Sequence, residues 1–320
     1  MRLHRVCLIL LLIWMIPGEV PAGQDSALIA QTMDRQLPRE HIEFNGTLPQ
    51  AVQTFADLTG VRMQVDGSVY DALPWGERTT FRATFQHQTL RQALTAICRK
   101  LGLEYELTDQ SIVLHPLPAL WRISRRCTIE ELQVLDMLGR TPLAPTELHT
   151  SAARLVAAID ARLVPLGCAI EDRALGPDNA TPITVARNCT LLDALDEIAT
   201  QTNATWHPSG KSIVILKKVD QIRMQLGRKI TMRFDNQDVS QVLLELSQRS
   251  GIDIQIEPGA IQKIAAPFRT IRLVLDNASV NQALQTICGF TGLAFAVDDS
   301  GVHIWYAMTP QTQSATEPAN

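Results

Sequence analysis

Thr89-Leu90-Arg91-Gln92-Ala93-Leu94-Thr95-Ala96-Ile97-Cys98-Arg99-Lys100-Leu101-Gly102 reads as one capped helix, and that reading decides the fold. Thr89 puts a hydroxyl at the N-cap. Gln92 stands three residues on, where its amide reaches back to the N-cap N–H, so the pair satisfies orphan backbone donors from both sides. Ala93, Leu94 and Ile97 then place one helical face in a core. The signature returns at Thr190-Leu191-Leu192-Asp193 with Ala194, Leu195 and Ile198, and at Ser279-Val280-Asn281-Gln282 with Ala283, Leu284 and Ile287. Three copies predict three related small domains.

Working outward, Thr47-Leu48-Pro49-Gln50 and Asp238-Val239-Ser240-Gln241 open a second capped helix about forty residues before the first and third copies. Each of these helices closes at a hydroxyl residue plus glycine, Thr59-Gly60 and Ser250-Gly251, which suits a left-handed C-terminal residue. Alternating strands follow, through Val61, Met63 and Val65 and through Ile252, Ile254 and Ile256. From Phe81 to Gly102 the first copy maps onto the third without a gap, Phe85 to Leu275, Leu94 to Leu284 and Cys98 to Cys288. In the third copy, Ile230, Met232 and Phe234 predict the first strand, and Leu293 to Val297 and Val302 to Ile304 the closing hairpin. The middle copy is degenerate: Ala152, Leu155, Val156, Ile159 and Leu163 mark its first helix, and Ala204, Trp206 and Ile213 to Leu216 its hairpin.

The expected fold class is α+β, three tandem small two-layer βαββαββ domains at residues 41–116, 120–220 and 228–307. The middle domain carries an extra helix capped by Thr128-Ile129-Glu130-Glu131. Residues 308–320 read as a disordered tail, since Thr309 to Asn320 are all small or polar with two prolines. Arg2 and Arg5 precede an apolar run from Val6 to Ile16, then Pro17-Gly18, with Val20 and Ala22 at the −3 and −1 positions. Residues 1–22 therefore read as a signal peptide cleaved near Ala22, and the protein as periplasmic or otherwise exported. The run is shorter than the roughly twenty residues of a membrane span, so the mature chain is expected not to span a membrane.

The formal net charge of −4 over 320 residues, without a basic block, argues against nucleic acid as a partner. Arg122, Arg125 and Arg126, and the pair Lys217-Lys218, read as solvated surface. Five cysteines follow residue 22. Cys98 and Cys288 share one position in their repeats and read as buried packing sites, while Cys168 and Cys189 could pair. An odd count leaves at least one thiol unpaired. The histidines are scattered, with His207 and His303 expected to point outward from hairpin strands, and no spacing fits a metal site. Asp298-Asp299 belongs to a turn and Glu130-Glu131 to a helix start, where acidic side chains suit the helix dipole. The Asn-x-Thr/Ser matches, such as Asn188 and Asn277, coincide with helix caps. No catalytic, cofactor-binding or metal residue is assigned from these patterns.

The order of capped helix, Thr/Ser-Gly, alternating strand, Thr-Leu-x-x-Ala-Leu helix, Gly-Leu and hairpin resembles the short N-terminal domain of secretins and TonB-dependent receptors. Thr47 to Val65 with Thr89 to Tyr105, and Asp238 to Ile256 with Ser279 to Phe295, carry the resemblance, and the C-terminal domain of FecR-type regulators is similar. The resemblance implies a periplasmic domain that works by contact with a secretion-channel component or a membrane-bound regulator. A porin-like or receptor barrel after the third copy is not expected. The expectation is thus an exported, non-enzymatic protein-interaction protein without a cofactor. Two alternatives are an envelope-glycan-binding module and a hydrolase whose site lies between domains.

Overall fold

The computed structural model describes residues 23–38, 40–144 and 149–307; the expected signal peptide at residues 1–22 and the expected tail at residues 308–320 lie outside them. The chain is mixed α/β, and its strands form several small sheets rather than one continuous sheet.

The first segment runs α1 (Gly23–Met33), β1 (His41–Thr47), α2 (Leu48–Thr59), β2 (Met63–Val65), α3 (Gly67–Ala72), β3 (Thr80–Gln86), α4 (Leu90–Leu101), β4 (Leu103–Leu107) and β5 (Ile112–Pro116). A short helix, α5 (Pro118–Trp121), leads to the second segment. This comprises α6 (Ile129–Leu138), β6 (His149–Ser151), α7 (Ala152–Leu163), β7 (Ala169–Asp172), β8 (Pro182–Thr184), α8 (Leu191–Gln201), β9 (Ala204–Ser209) and β10 (Ser212–Lys217). The third holds α9 (Lys218–Leu226), β11 (Lys229–Asp238), α10 (Val239–Ser250), β12 (Ile254–Ile256), α11 (Ala260–Lys263), β13 (Thr270–Ser279), α12 (Val280–Thr291), β14 (Leu293–Val297) and β15 (Val302–Tyr306).

One pairing scheme recurs in each segment. Two strands form an antiparallel ribbon, β1–β3, β6–β8 or β11–β13. The closing hairpin accepts a third strand in parallel, giving the orders β2-β5-β4, β7-β10-β9 and β12-β15-β14. The capping boxes at Thr89, Thr190 and Ser279 all form, with Gln92, Asp193 and Gln282 closing back on the cap N–H. Gly60, Gly102, Gly251 and Gly292 take left-handed conformations after their helices, as the glycine signals require.

Two features were not expected. His87, Asn188 and Asn277 each stand two residues before the N-cap of the second helix, and each has a positive φ, 48°, 64° and 48°. Asparagine tolerates that region better than most residues, so Asn188 and Asn277 have a backbone role. The second is a helix at the head of every segment. The helix expected after Thr128 is present as α6, and α1 and α9 hold the corresponding place in the other two segments. Each leading helix packs on the second capped helix of its own segment, α1 on α4, α6 on α8 and α9 on α12. The residues behind it feed the helix start: Leu90 N–H donates to Arg35 O, Leu191 N–H to Thr141 O and Val280 N–H to Arg228 O. These are first-turn donors that the helix itself cannot satisfy.

α6 also seats on α4 of the first segment. A Cβ at Gly102 would lie 2.9 Å from Leu135 Cδ1, so the left-handed cap and the close approach of α6 both demand glycine there. Arg99 on α4 holds Asp136 on α6 at 2.8 Å. The first and second segments consequently share one hydrophobic core from Ile29 to Ile215, whereas Leu226 to Ile304 form a separate one. Cys98, Cys127 and Cys288 are buried packing residues. Cys168 carries a free thiol, so the pairing with Cys189 is not formed.

Leu94, Leu195 and Leu284 are all buried at equivalent places, while Gln285 is exposed. Leu284→Ala should therefore cost about 2–5 kcal/mol, and Gln285→Ala less than about 0.5 kcal/mol, in urea melts followed by circular dichroism. Equal losses would contradict the helical phase.

Candidate functional site

The segments meet around residues 117–131, and the side chains there do more than the sequence suggested. Arg125 and Arg126 are exposed, as expected, but Arg122 is half-buried. Its Nη1 donates to Trp206 O at 3.1 Å, and its own carbonyl accepts from Gln221 Nε2. Burial pushes the Arg122 guanidinium down, against the pull of Asp196. Asp196 in turn is pushed up by burial, although it accepts from Trp206 Nε1 at 2.9 Å.

Glu131 caps α6 and is fully buried. Both its oxygens face the Arg125 guanidinium, at 2.7 and 2.9 Å, and it also accepts from Thr128 N–H at 2.8 Å and Gly210 N–H at 3.0 Å. Burial alone would raise this carboxyl. The Arg125 bonds and the two backbone donors outweigh it and hold the group below the usual glutamate range. Helix α6 is thereby tied to the β9–β10 turn. His207 does not point outward: β9 is covered on both faces, and the ring is buried with Nδ1–H donating to Pro208 O at 3.0 Å. Its Nε2 has no hydrogen-bond partner among the described residues. Burial pushes the imidazole down, toward the neutral form. Local alternation could not foresee this, because the covering helices come from other parts of the chain.

An open cleft of about 1470 Å³ lies between the segments, with Asp66, Glu104, Glu106 and His115 on one wall and Glu245 and Asp253 on another. His115 Nδ1 is 3.6 Å from Asp66 and Nε2 is 3.8 Å from Glu106. Burial pushes Glu104 up; His115 opposes this, and Asp196 and Glu106 add to it. Asp66, however, is the N-cap of α3 and accepts from Ser68 N–H, which together with Ser68 Oγ, His115 and Arg249 holds it down against burial. No hydroxyl or thiol hydrogen-bonds to His115 among the described residues, so this wall offers charge but no activated nucleophile.

Ser300 also lines the cleft, and with Asp298 and His303 it carries the three side-chain types of a hydrolase triad. Ser300 Oγ lies 2.7 Å from His303 Nε2, and Asp298 Oδ2 lies 3.0 Å from the same nitrogen. A working triad needs the carboxylate on the other ring nitrogen, so that the base stands between the two. Here Asp298 instead accepts from Ser300 N–H and Oγ within the β14–β15 turn. It is a turn network. Cys98 and Cys127 are pushed up to about 12 and Cys288 to about 11 by burial, which leaves their thiols protonated at neutral pH. No group of three metal-ligating side chains has the geometry of a metal site among the described residues.

Strand edges are the remaining feature. β11 and β13 span ten residues each and pair only with one another, so each leaves one long edge without a strand partner among the described residues. Bulges interrupt their register on either side of a regular stretch, Met232 to Phe234 against Leu275 to Leu273. Compared with protein-family models, curated proteins and solved structures, the chain finds no match in any of the three.

Glu131 and His207 should dominate acid stability, in separate windows. His207 is depressed in the fold, so its contribution holds at neutral pH and is lost as pH falls below about 6.5. Glu131 is also depressed, so its contribution persists to lower pH and is lost only as pH falls below about 4.3. Thermal melts from pH 8 to pH 3 should show both declines, and His207→Gln should remove the first. Glu131→Ala should cost about 1–3 kcal/mol for each backbone donor left unsatisfied. The half-exposed Arg125 can rehydrate and adds little.

Proposed function

We propose that the chain is a tandem array of three small α+β domains, exported to the bacterial envelope, that works by binding protein partners and has no chemistry of its own. The observation that carries this reading is the open-edged ribbon of each segment, longest at β11–β13. An unpaired edge presents backbone N–H and C=O groups at strand spacing, and a partner strand that docks there gains a ladder of hydrogen bonds. Repetition adds contact points, and linked contacts raise avidity without new chemistry. The resemblance of Thr47 to Val65 and Thr89 to Tyr105 to secretin and TonB-receptor N-terminal domains agrees with it, as does the signal-like segment at residues 1–22. The partner class is then a secretion-channel component or a membrane-bound regulator. Among the described residues no helix is long and apolar enough to cross a membrane.

The test is capture of partners by an immobilised chain beginning at Gly23, from a periplasmic extract of the source bacterium, alongside sedimentation with purified peptidoglycan. An envelope protein retained through salt washes, with no sedimentation, is the expected result. Sedimentation with peptidoglycan and a repeatedly empty capture would contradict it in favour of a glycan-binding module.

A further inference from the structure

A second groove, of about 640 Å³, runs between residues 123–126 and residues 227–232. Ile230, Thr231 and Met232 all line it in succession. Three successive residues of β11 line the groove and none of β13 does, so the groove lies along the side of β11 away from its partner strand. That edge has no strand partner among the described residues.

The groove is strongly cationic in a chain whose net charge is negative. Arg125, Arg126, Arg228, Lys229 and Arg249 line it, against the single lining carboxylate of Asp71. Asp71 pairs with Arg249 at 3.0 Å and Arg125 with Glu131. Arg126, Arg228 and Lys229 are left without an ion-pair partner among the described residues. Arg228 is held in place, its guanidinium 4.9 Å above the Trp121 ring. Met224, Met232 and Ile123 supply apolar surface between the charges. Exposed aromatic rings on which bases could stack are missing from the lining, since Trp121 lies beneath Arg228, and this speaks against single-stranded nucleic acid.

We propose that this groove takes an extended acidic segment of a partner protein, which adds as a strand along the outer edge of β11 and sets its carboxylates against Arg126, Arg228 and Lys229. The segment alternates Asp or Glu with aliphatic residues, one set meeting the cations and the other the methionines. The proposal deepens the interaction reading above and rests on it.

Fluorescence anisotropy with a labelled peptide of alternating Glu and Val, matched to the ten residues of β11, tests it on the full chain from Gly23. Saturable binding is expected, weakened by salt and weakened about tenfold by Lys229→Glu and separately by Arg126→Glu. Lys229 is exposed, so the first variant stays informative if the second perturbs folding. Replacing every Glu of the peptide by Gln, or methylating alternate peptide amides, should abolish binding. The groove assignment is overturned by equal affinity for the Gln peptide, by indifference to Lys229→Glu, or by tighter binding to a single-stranded oligonucleotide or to phosphatidylglycerol vesicles. A peptide that does not bind, alongside a partner captured from extract, overturns the groove but not the interaction reading. An empty capture with a bound peptide does the reverse.

Discussion

An α-helix that starts inside a protein brings several backbone N–H groups with no acceptor of their own, and the structure is arranged around meeting that need three times. At α4, α8 and α12 a hydroxyl caps the helix and an amide or carboxylate three residues on caps it in return. A carbonyl from the residues behind the leading helix takes a further first-turn donor. A left-handed residue two places earlier turns the chain into the cap. Leading helix, cap and apolar stripe are thus one device, and the small sheets are laid against it.

The same device joins neighbouring segments. Helix α6 serves the second segment as its leader yet also rests on α4 of the first, through the space that Gly102 leaves open. Glu131 at its start reaches across to the β9–β10 turn. One helix with two packing faces merges two cores into one. Helix α9 likewise packs on β9 and β10 before leading the third segment, but there the apolar cores stay separate. The contacts that cross to the third segment are largely polar, such as Arg249 with Asp71 and Asn203 with Asp299.

What could be read in the sequence was what local chemistry specifies. The capping boxes, the stripe through Leu94, Leu195 and Leu284, the glycine caps and the closing hairpins all follow from periodicity and from one or two residue types with a backbone role. The short helix α3 was illegible because six residues hold too few apolar positions to show a period. His207 was misjudged for another reason. Alternation predicts one buried face for a strand, whereas β9 is covered on both by helices from elsewhere in the chain. Nor could charge counting show that cations gather along one strand edge, since Arg126 and Lys229 are a hundred residues apart in sequence and meet only through the fold.

Function in this account follows from what the device leaves unsatisfied. Each segment meets the needs of its helix starts internally and leaves a ribbon edge without a partner, so the helix starts must be firm for the edges to stay presented. Native-state hydrogen exchange of the backbone amides tests that most directly. The Leu90, Leu191 and Val280 amides should be protected as well as mid-helix amides are, with the first two segments opening together and the third opening on its own. Exchange of those three amides at the rate of frayed helix ends, or independent opening of the first two segments, would contradict it.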